Sequence, residues 1–251
     1  MTCPHCGKEI FDNQAFCQYC GGRTGSGSPL PTTETGGRKK TAWEDRDVHG
    51  FFGGILRTIQ STLFSPTEFF RTMTVTGGLT EPLLFSLIIG MVGLMISYVW
   101  QILLQGTIQN FLPPEMSSAA GYDMFHGLGI AVMAILSPVA IILWLFIWSG
   151  IVHLCLMLVR GARQGFEATF RAVAYSHSTY LFMALPFCGG IIAAIWSIVL
   201  IIIGLKEAHE ISGGKASFAE LFPIFLCCGV AIMGILFLGL MAASVGALMQ
   251  Q

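Results

Sequence analysis

The chain alternates long apolar runs with short polar breaks, and the runs have the length of membrane crossings. Pro82 to Leu104, Leu128 to Val159 and Leu221 to Met249 contain no Asp, Glu, Lys or Arg. A further uncharged stretch fills the 34 positions between Arg171 and Lys206. Pro186 and the Gly189-Gly190 pair divide it into two arms, each about long enough to cross a ~30 Å hydrocarbon core at ~1.5 Å per residue. Charge gathers at the open ends of this hairpin, with Glu167 and Arg171 on one side and Lys206, Glu207, His209 and Glu210 on the other. The pattern predicts an all-α polytopic membrane protein with five transmembrane helices, at about 82–104, 129–159, 168–186, 190–208 and 221–248. Pro138 predicts a kink or break in the second.

Ahead of the spans the period changes. Phe51, Phe52, Ile55, Leu56, Ile59 and Leu63 recur at helical spacing. Ser65 and Glu68 have the spacing of a capping box, and Pro66 suits the first helical position. Two short amphipathic helices over 51–75 are therefore expected, lying in the membrane interface or packed on the bundle. Residues 23–48 are dominated early on by Gly, Ser, Thr and Pro and predict a flexible linker. It includes the basic cluster Arg38-Lys39-Lys40, which Glu44, Asp45 and Asp47 offset. The membrane domain then covers 49–251.

Composition sharpens this picture. With 54% hydrophobic and 11% charged residues and a mean hydropathy of +0.71, the chain is too apolar for an ordinary soluble domain. A net charge of −1 gives no global field to recruit nucleic acid, so none is expected as a partner. The opening residues, Met-Thr-Cys-Pro-His-Cys, lack the basic and apolar regions of a secretory signal. All 13 basic residues fall on one side of a five-span layout: eight before the first span, three between, or at the junction of, the second and third, two after the fourth. The positive-inside rule makes that side cytoplasmic. The expected setting is the plasma (inner) membrane, with a cytoplasmic N-terminus and an extracytoplasmic C-terminus.

The cysteines form two groups. Cys3, Cys6, Cys17 and Cys20 make two C-x-x-C pairs, the spacing of a tetrahedral zinc site. Gly7 and Gly21 follow the second cysteine of each pair, where a metal knuckle needs a tolerant backbone. A zinc ribbon over 1–22 is expected, with structural Zn²⁺, since four thiolates leave no open position. His5 reads as a surface residue. Cys155, Cys188, Cys227 and Cys228 lie in apolar runs and read as small hydrophobes.

Several of these residues, taken in order, carry a resemblance. Phe170-Arg171, Ala174-Tyr175-Ser176, Leu185-Pro186, Gly189-Gly190, Trp196, Gly204-Leu205-Lys206, His209, Ser212 and Lys215-Ala216 resemble the Yip (Ypt-interacting protein) membrane-domain family. Ser65-Pro66 with Phe69-Phe70-Arg71 is similar to the start of that domain. The resemblance covers roughly Ile55 to Leu240. Members often carry a proline soon after the Tyr-Ser pair; here Ser178-Thr179 stands in that region. Eukaryotic relatives are associated with small GTPases and vesicle traffic. A zinc ribbon on this domain looks prokaryotic, and the GTPase partner is not carried over.

Candidate working residues are the polar groups of the spans: His153, Arg171, Tyr175, His177, Lys206 and His209. Ionisable groups in membranes are costly and often functional. Near span ends they also serve to anchor helices, and a histidine among apolar residues also serves as an interhelical hydrogen bond. Arg171 shares a helix face with Glu167 and Tyr175. Lys206-Glu207-Ala208-His209-Glu210 lacks the paired histidines of a zincin, and no nucleophile elbow or phosphate loop is present. The chain is not expected to be an enzyme. The favoured reading is a non-enzymatic adaptor or membrane-organising protein that meets a cytoplasmic protein partner through its zinc ribbon, with self-association left open. The alternative is a transporter or lipid-translocating protein using a polar cleft between spans two, three and four. The missing inverted repeat and the lack of carboxylates at the membrane centre weigh against the alternative.

Overall fold

A computed structural model describes residues 2–3, 5–9, 19–20, 37–109 and 120–249. Met1–Gly37 and Arg38–Gln251 form separate units. In the first, Thr2 and Glu9 pair in an antiparallel bridge. The Cys3 N–H donates to the Lys8 carbonyl at 2.9 Å, and the Gly7 N–H donates to the Cys3 carbonyl at 2.9 Å. Gly7 adopts φ +70°, the left-handed turn that the motif requires.

The second unit is helical. It contains α1 (Arg46–His49), α2 (Phe51–Phe64), α3 (Pro66–Thr72), α4 (Thr80–Gln109), α5 (Ala120–Leu158), α6 (Phe166–Ser176), a 3₁₀ segment (His177–Ala184), α7 (Gly189–His209) and α8 (Gly213–Met249). Within α4, α5, α7 and α8 lie four stretches long and apolar enough to cross a membrane: Thr80–Leu104, Val132–Leu158, Gly189–His209 and Gly213–Gly239. Their outer faces leave large apolar side chains exposed, among them Val99, Leu136, Phe225 and Leu236. Such a surface suits lipid and not water. Pro138 lies inside α5 without ending it.

Three features depart from the sequence reading. The first is the third span, expected as one helix over 168–186. The α-helix stops at Ser176, and the chain continues as 3₁₀ turns to Ala184. The side chains explain the change. Ser176 Oγ donates to the Ala172 carbonyl at 2.8 Å, Ser178 Oγ to Tyr175 at 2.8 Å and Thr179 Oγ1 to Ser176 at 3.0 Å. Hydroxyls that bond back to the preceding turn compete with the helical ladder. Neighbouring backbone also comes very close: a Cβ on Gly93 of α4 would lie 2.7 Å from Tyr180 Cβ, and one on Gly189 would run into the Phe182 carbonyl oxygen.

The second departure is the linker. Its C-terminal part, from Arg38, belongs to the helical unit. Trp43 is buried in the same core as Phe70, Phe85, Phe170, Tyr175 and Leu205. Its indole N–H donates to the Glu81 carbonyl at 2.8 Å. The third departure is the last helix, which begins at Gly213 and so takes Glu220 into the apolar stretch Gly213–Gly239.

The amphipathic segment forms α2 and α3. Ile59 and Leu63 are buried, while Phe52, Leu56 and Phe64 are exposed. Ser65 caps α3 and Pro66 opens it, but the serine side chain makes no capping hydrogen bond.

Candidate functional site: a buried polar junction

The short helix α6 is buried along almost its whole length, so its polar side chains must find partners inside the protein. Arg171 is the extreme case, with 1% of its side chain exposed. One guanidinium nitrogen pairs with Glu44 Oε1 and also donates to Thr74 Oγ1 at 2.8 Å. The other donates to the Gly78 carbonyl at 3.1 Å and lies 3.6 Å from Glu167 Oε1, one helical turn away. Tyr175, one turn further on, donates its hydroxyl to the same Glu44 oxygen at 2.8 Å and lies 3.1 Å from Thr41 Oγ1. Glu44 is held in turn by its own segment. The Thr41 N–H donates to Glu44 Oε2 at 3.2 Å, and the Glu44 N–H donates to Thr41 Oγ1 at 3.3 Å. That reciprocal pair is a capping box.

A second cluster joins α5, α6 and α7. The Gln164 backbone N–H donates to His209 Nδ1 at 3.1 Å, which places the proton of a neutral His209 on Nε2. Nε2 faces Thr169 Oγ1 at 2.9 Å, and Thr169 Oγ1 faces His153 Nδ1 at 2.8 Å. With Nε2–H donating, the threonine hydroxyl is left to donate onward to His153. The chain of bonds thus has one direction, from Gln164 to His153.

The remaining candidates stand apart from these. His177 Nδ1 hydrogen-bonds Ser86 Oγ, joining the start of the 3₁₀ segment to α4. Lys206 has 48% of its side chain exposed and pairs with its neighbour Glu207 at 2.9 Å. The end of α7 is capped by Arg38, which donates to the Glu207 and Ala208 carbonyls at 3.0 and 3.1 Å and pairs with Glu210 at 2.9 Å. Cations at a helix C-terminus satisfy orphan carbonyls and oppose the dipole.

Three residues that matter here escaped the sequence reading. Glu44 lay in the expected linker, although Thr41-Ala-Trp-Glu44 carries a capping-box spacing that marks local order. Thr169 looked like an ordinary helical threonine. Glu220 stood one position outside the expected fifth span. It is buried, and its Oε2 has no hydrogen-bond partner.

In the N-terminal unit, the sulfur atoms of Cys3, Cys6 and Cys20 lie within 4.8 Å of one another. The Cys3 and Cys20 sulfurs are 3.7 Å apart, and the His5 N–H donates to the Cys3 sulfur at 3.4 Å. Three converging thiols with a backbone N–H on sulfur form a donor set that can bind a soft metal ion. Cys17 lies outside the described residues.

Comparison with known proteins adds one match. A family model described as the Yip1 domain fits residues 61–247. No curated protein and no solved structure matches the chain.

Proposed function

Because the chain belongs to the Yip1 domain family, we propose that it is a non-enzymatic membrane adaptor whose N-terminal module engages a cytoplasmic protein. The observation that carries this reading is the Glu44 junction. The segment leading in from the N-terminal module ends on Arg171 and Tyr175, inside the bundle, and not at its surface. A load on that segment therefore reaches α6 directly. The exposed apolar face of α2 supplies a second anchor in the interface. Structural Zn²⁺ would be held by Cys3, Cys6, Cys17 and Cys20, and would fold the module around four thiolates.

The five-span layout belongs to the same proposal. α6 and the 3₁₀ segment together reach about 30 Å at ~1.5 and ~2 Å per residue, enough for one crossing. That crossing keeps every basic residue on the cytoplasmic side, with Gln251 outside. The test combines two preparations in proteoliposomes. Deleting residues 1–37 is expected to abolish cross-linking to a cytoplasmic partner while leaving insertion and stability unchanged. Undiminished cross-linking would overturn the adaptor reading, and so would a saturable solute or lipid flux driven by the purified chain.

One observation favours the alternative, a carrier. A crevice bounded by α5, the 3₁₀ segment, α7 and α8 contains the buried Glu220. Glu220 sits in the first third of the apolar stretch Gly213–Gly239, short of its centre, and places a carboxylate within a span.

A further inference from the structure

The crevice has a volume of about 450 Å³, within the range of small-molecule sites. Its walls are mostly apolar, with Ala193, Ile198, Ile201 and Ile224 among them. Trp144 and Trp148 stack on each other at one side, with ring centroids 5.5 Å apart and planes 14° from parallel. Glu220, 1% exposed, is the sole carboxylate among the residues lining it, and none of them is a lysine or arginine. Trp148 and Glu220 line the same crevice, and Glu220 Oε2 has no hydrogen-bond partner. Glu220 forms no ion pair among the described residues.

A carboxylate in an apolar setting needs a proton or a cation. A bare metal ion is poorly served here: His177, Cys227 and Cys228 also line the crevice, but their ligand atoms and those of Glu220 do not converge as a metal-binding group. Apart from Glu220, the lining side chains offer oxygen only as the hydroxyls of Thr179, Tyr180 and Ser197, whereas hard cations take six or more oxygens. A zwitterionic or anionic headgroup brings a phosphate, for which the lining has no cation. An organic ammonium with an apolar body satisfies every feature at once. Its charge faces Glu220, an indole face adds cation–π attraction, and its alkyl groups fill the apolar walls.

We propose that the crevice is a binding site for lipophilic organic monocations, with Glu220 as the counter-ion and the Trp144–Trp148 stack as an aromatic wall. The site stands whether or not the N-terminal module recruits a partner, because binding requires no transport and no zinc.

Equilibrium dialysis of the full chain in nanodiscs against tetrabutylammonium, with empty nanodiscs subtracted, tests this. Saturable binding near one cation per chain is expected. Glu220→Gln should weaken it at least tenfold, and Trp148→Leu by about three- to tenfold. Trp144→Leu, at the more exposed ring, provides a second variant if Trp148→Leu does not fold. Glu220→Asp, which keeps the charge but retracts it, should bind more weakly than the parent and better than the glutamine variant. No saturable binding above empty nanodiscs would overturn the proposal, as would equal binding by a folded Glu220→Gln protein. A stable dimer whose Cys227 or Cys228 cross-links across the crevice, without tetrabutylammonium binding, would assign it to a second copy of the chain and overturn it equally.

Discussion

Arg171 and Glu220 are both ionisable, both essentially removed from solvent, and both inside one helical unit, yet their surroundings are opposite. Arg171 meets two carboxylates, a threonine hydroxyl and a backbone carbonyl. Glu220 meets a mostly apolar crevice with two indoles and no opposite charge among its lining residues. Taking a charge out of water costs several kcal/mol; two carboxylates offset that cost for Arg171, although its Nε has no hydrogen-bond partner, while no opposite charge does so for Glu220. The arginine is thus part of what holds the bundle together. The glutamate is a strained position whose retention makes sense only if something else completes its shell. A buried ionisable group by itself does not announce function; the lack of an opposite charge beside it does.

The sharpest way to break the comparison is to remove the arginine. Arg171→Met leaves Glu44 buried beside a neutral chain and takes a partner from Thr74 and Gly78. Breaking one half of a buried pair costs about 3–5 kcal/mol. The thermal midpoint in detergent should fall by many degrees, and expression should fall with it. Replacing Glu44 as well, in Arg171→Met with Glu44→Gln, should recover part of the loss, because no lone charge remains. If the double variant is worse than Arg171→Met by the full cost of Glu44→Gln alone, Arg171 and Glu44 act independently and the junction is no lock.

The hydroxyl relay should respond less. Thr169→Val keeps the shape but leaves His209 Nε2 and His153 Nδ1 without their shared partner, a loss of about 1–3 kcal/mol. Thr169→Ser should recover most of it. Nitrogen NMR of labelled histidine gives an independent readout. His209 should carry its proton on Nε2 in the parent, as its Nδ1 accepts from the Gln164 N–H. A proton found on Nδ1 would mean that the direction assigned to the relay is wrong.

Glu220 should behave in the opposite sense to Arg171. Glu220→Gln removes an uncompensated carboxylate without changing the volume, so the ligand-free protein at neutral pH should gain stability, by about 1 kcal/mol. Tetrabutylammonium should raise the midpoint of the parent and not of the variant. A clear drop in stability on substitution would place Glu220 with Arg171, as a satisfied structural group.

How much of this could be read in advance follows the same division. The apolar runs that become α4, α5, α7 and α8 were legible because membrane spans are set by length and hydropathy, which are local. The interior polar contacts are not local. Arg171 and Glu167 are one turn apart and could be paired on paper. Glu44 lies 127 positions from Arg171, in a stretch whose composition resembles a tail. Only the Thr41-to-Glu44 spacing and the lone Trp43 hinted that it folds. The capping boxes show the ambiguity of a motif. Ser65-to-Glu68 has the right spacing and no capping bond from the serine, while Thr41-to-Glu44 forms both bonds. Hydroxyl back-bonding at Ser176, Ser178 and Thr179 turned the expected third span into two kinds of helix, which hydropathy does not register. Glu220 was missed by a single residue, because the apolar run was started after the charge and not before it.

The smallest expected effect is the most informative about Lys206. Symmetry about the Pro186 turn places Lys206 at the level of Arg171, in one belt of charge at the open ends of the hairpin, with the arginine expected to matter more. In the structure the two are not equivalent. Lys206 is half exposed and its acceptor is the adjacent Glu207, whereas Arg171 is enclosed. Exposed ion pairs contribute about 0–1 kcal/mol, and a lysine near a span end can extend its ammonium to water. Lys206→Ala should therefore shift the thermal midpoint by no more than a degree or two, corresponding to less than about 0.5 kcal/mol. The change should shrink further at high salt, since screening acts on exposed charges first. Arg171→Met should keep its full effect under the same salt, because its partners lie inside the protein. Lys206→Ala matching Arg171→Met in size, or a salt-insensitive loss at Lys206, would mean that the ammonium is buried against further partners and that the belt is continuous across the hairpin.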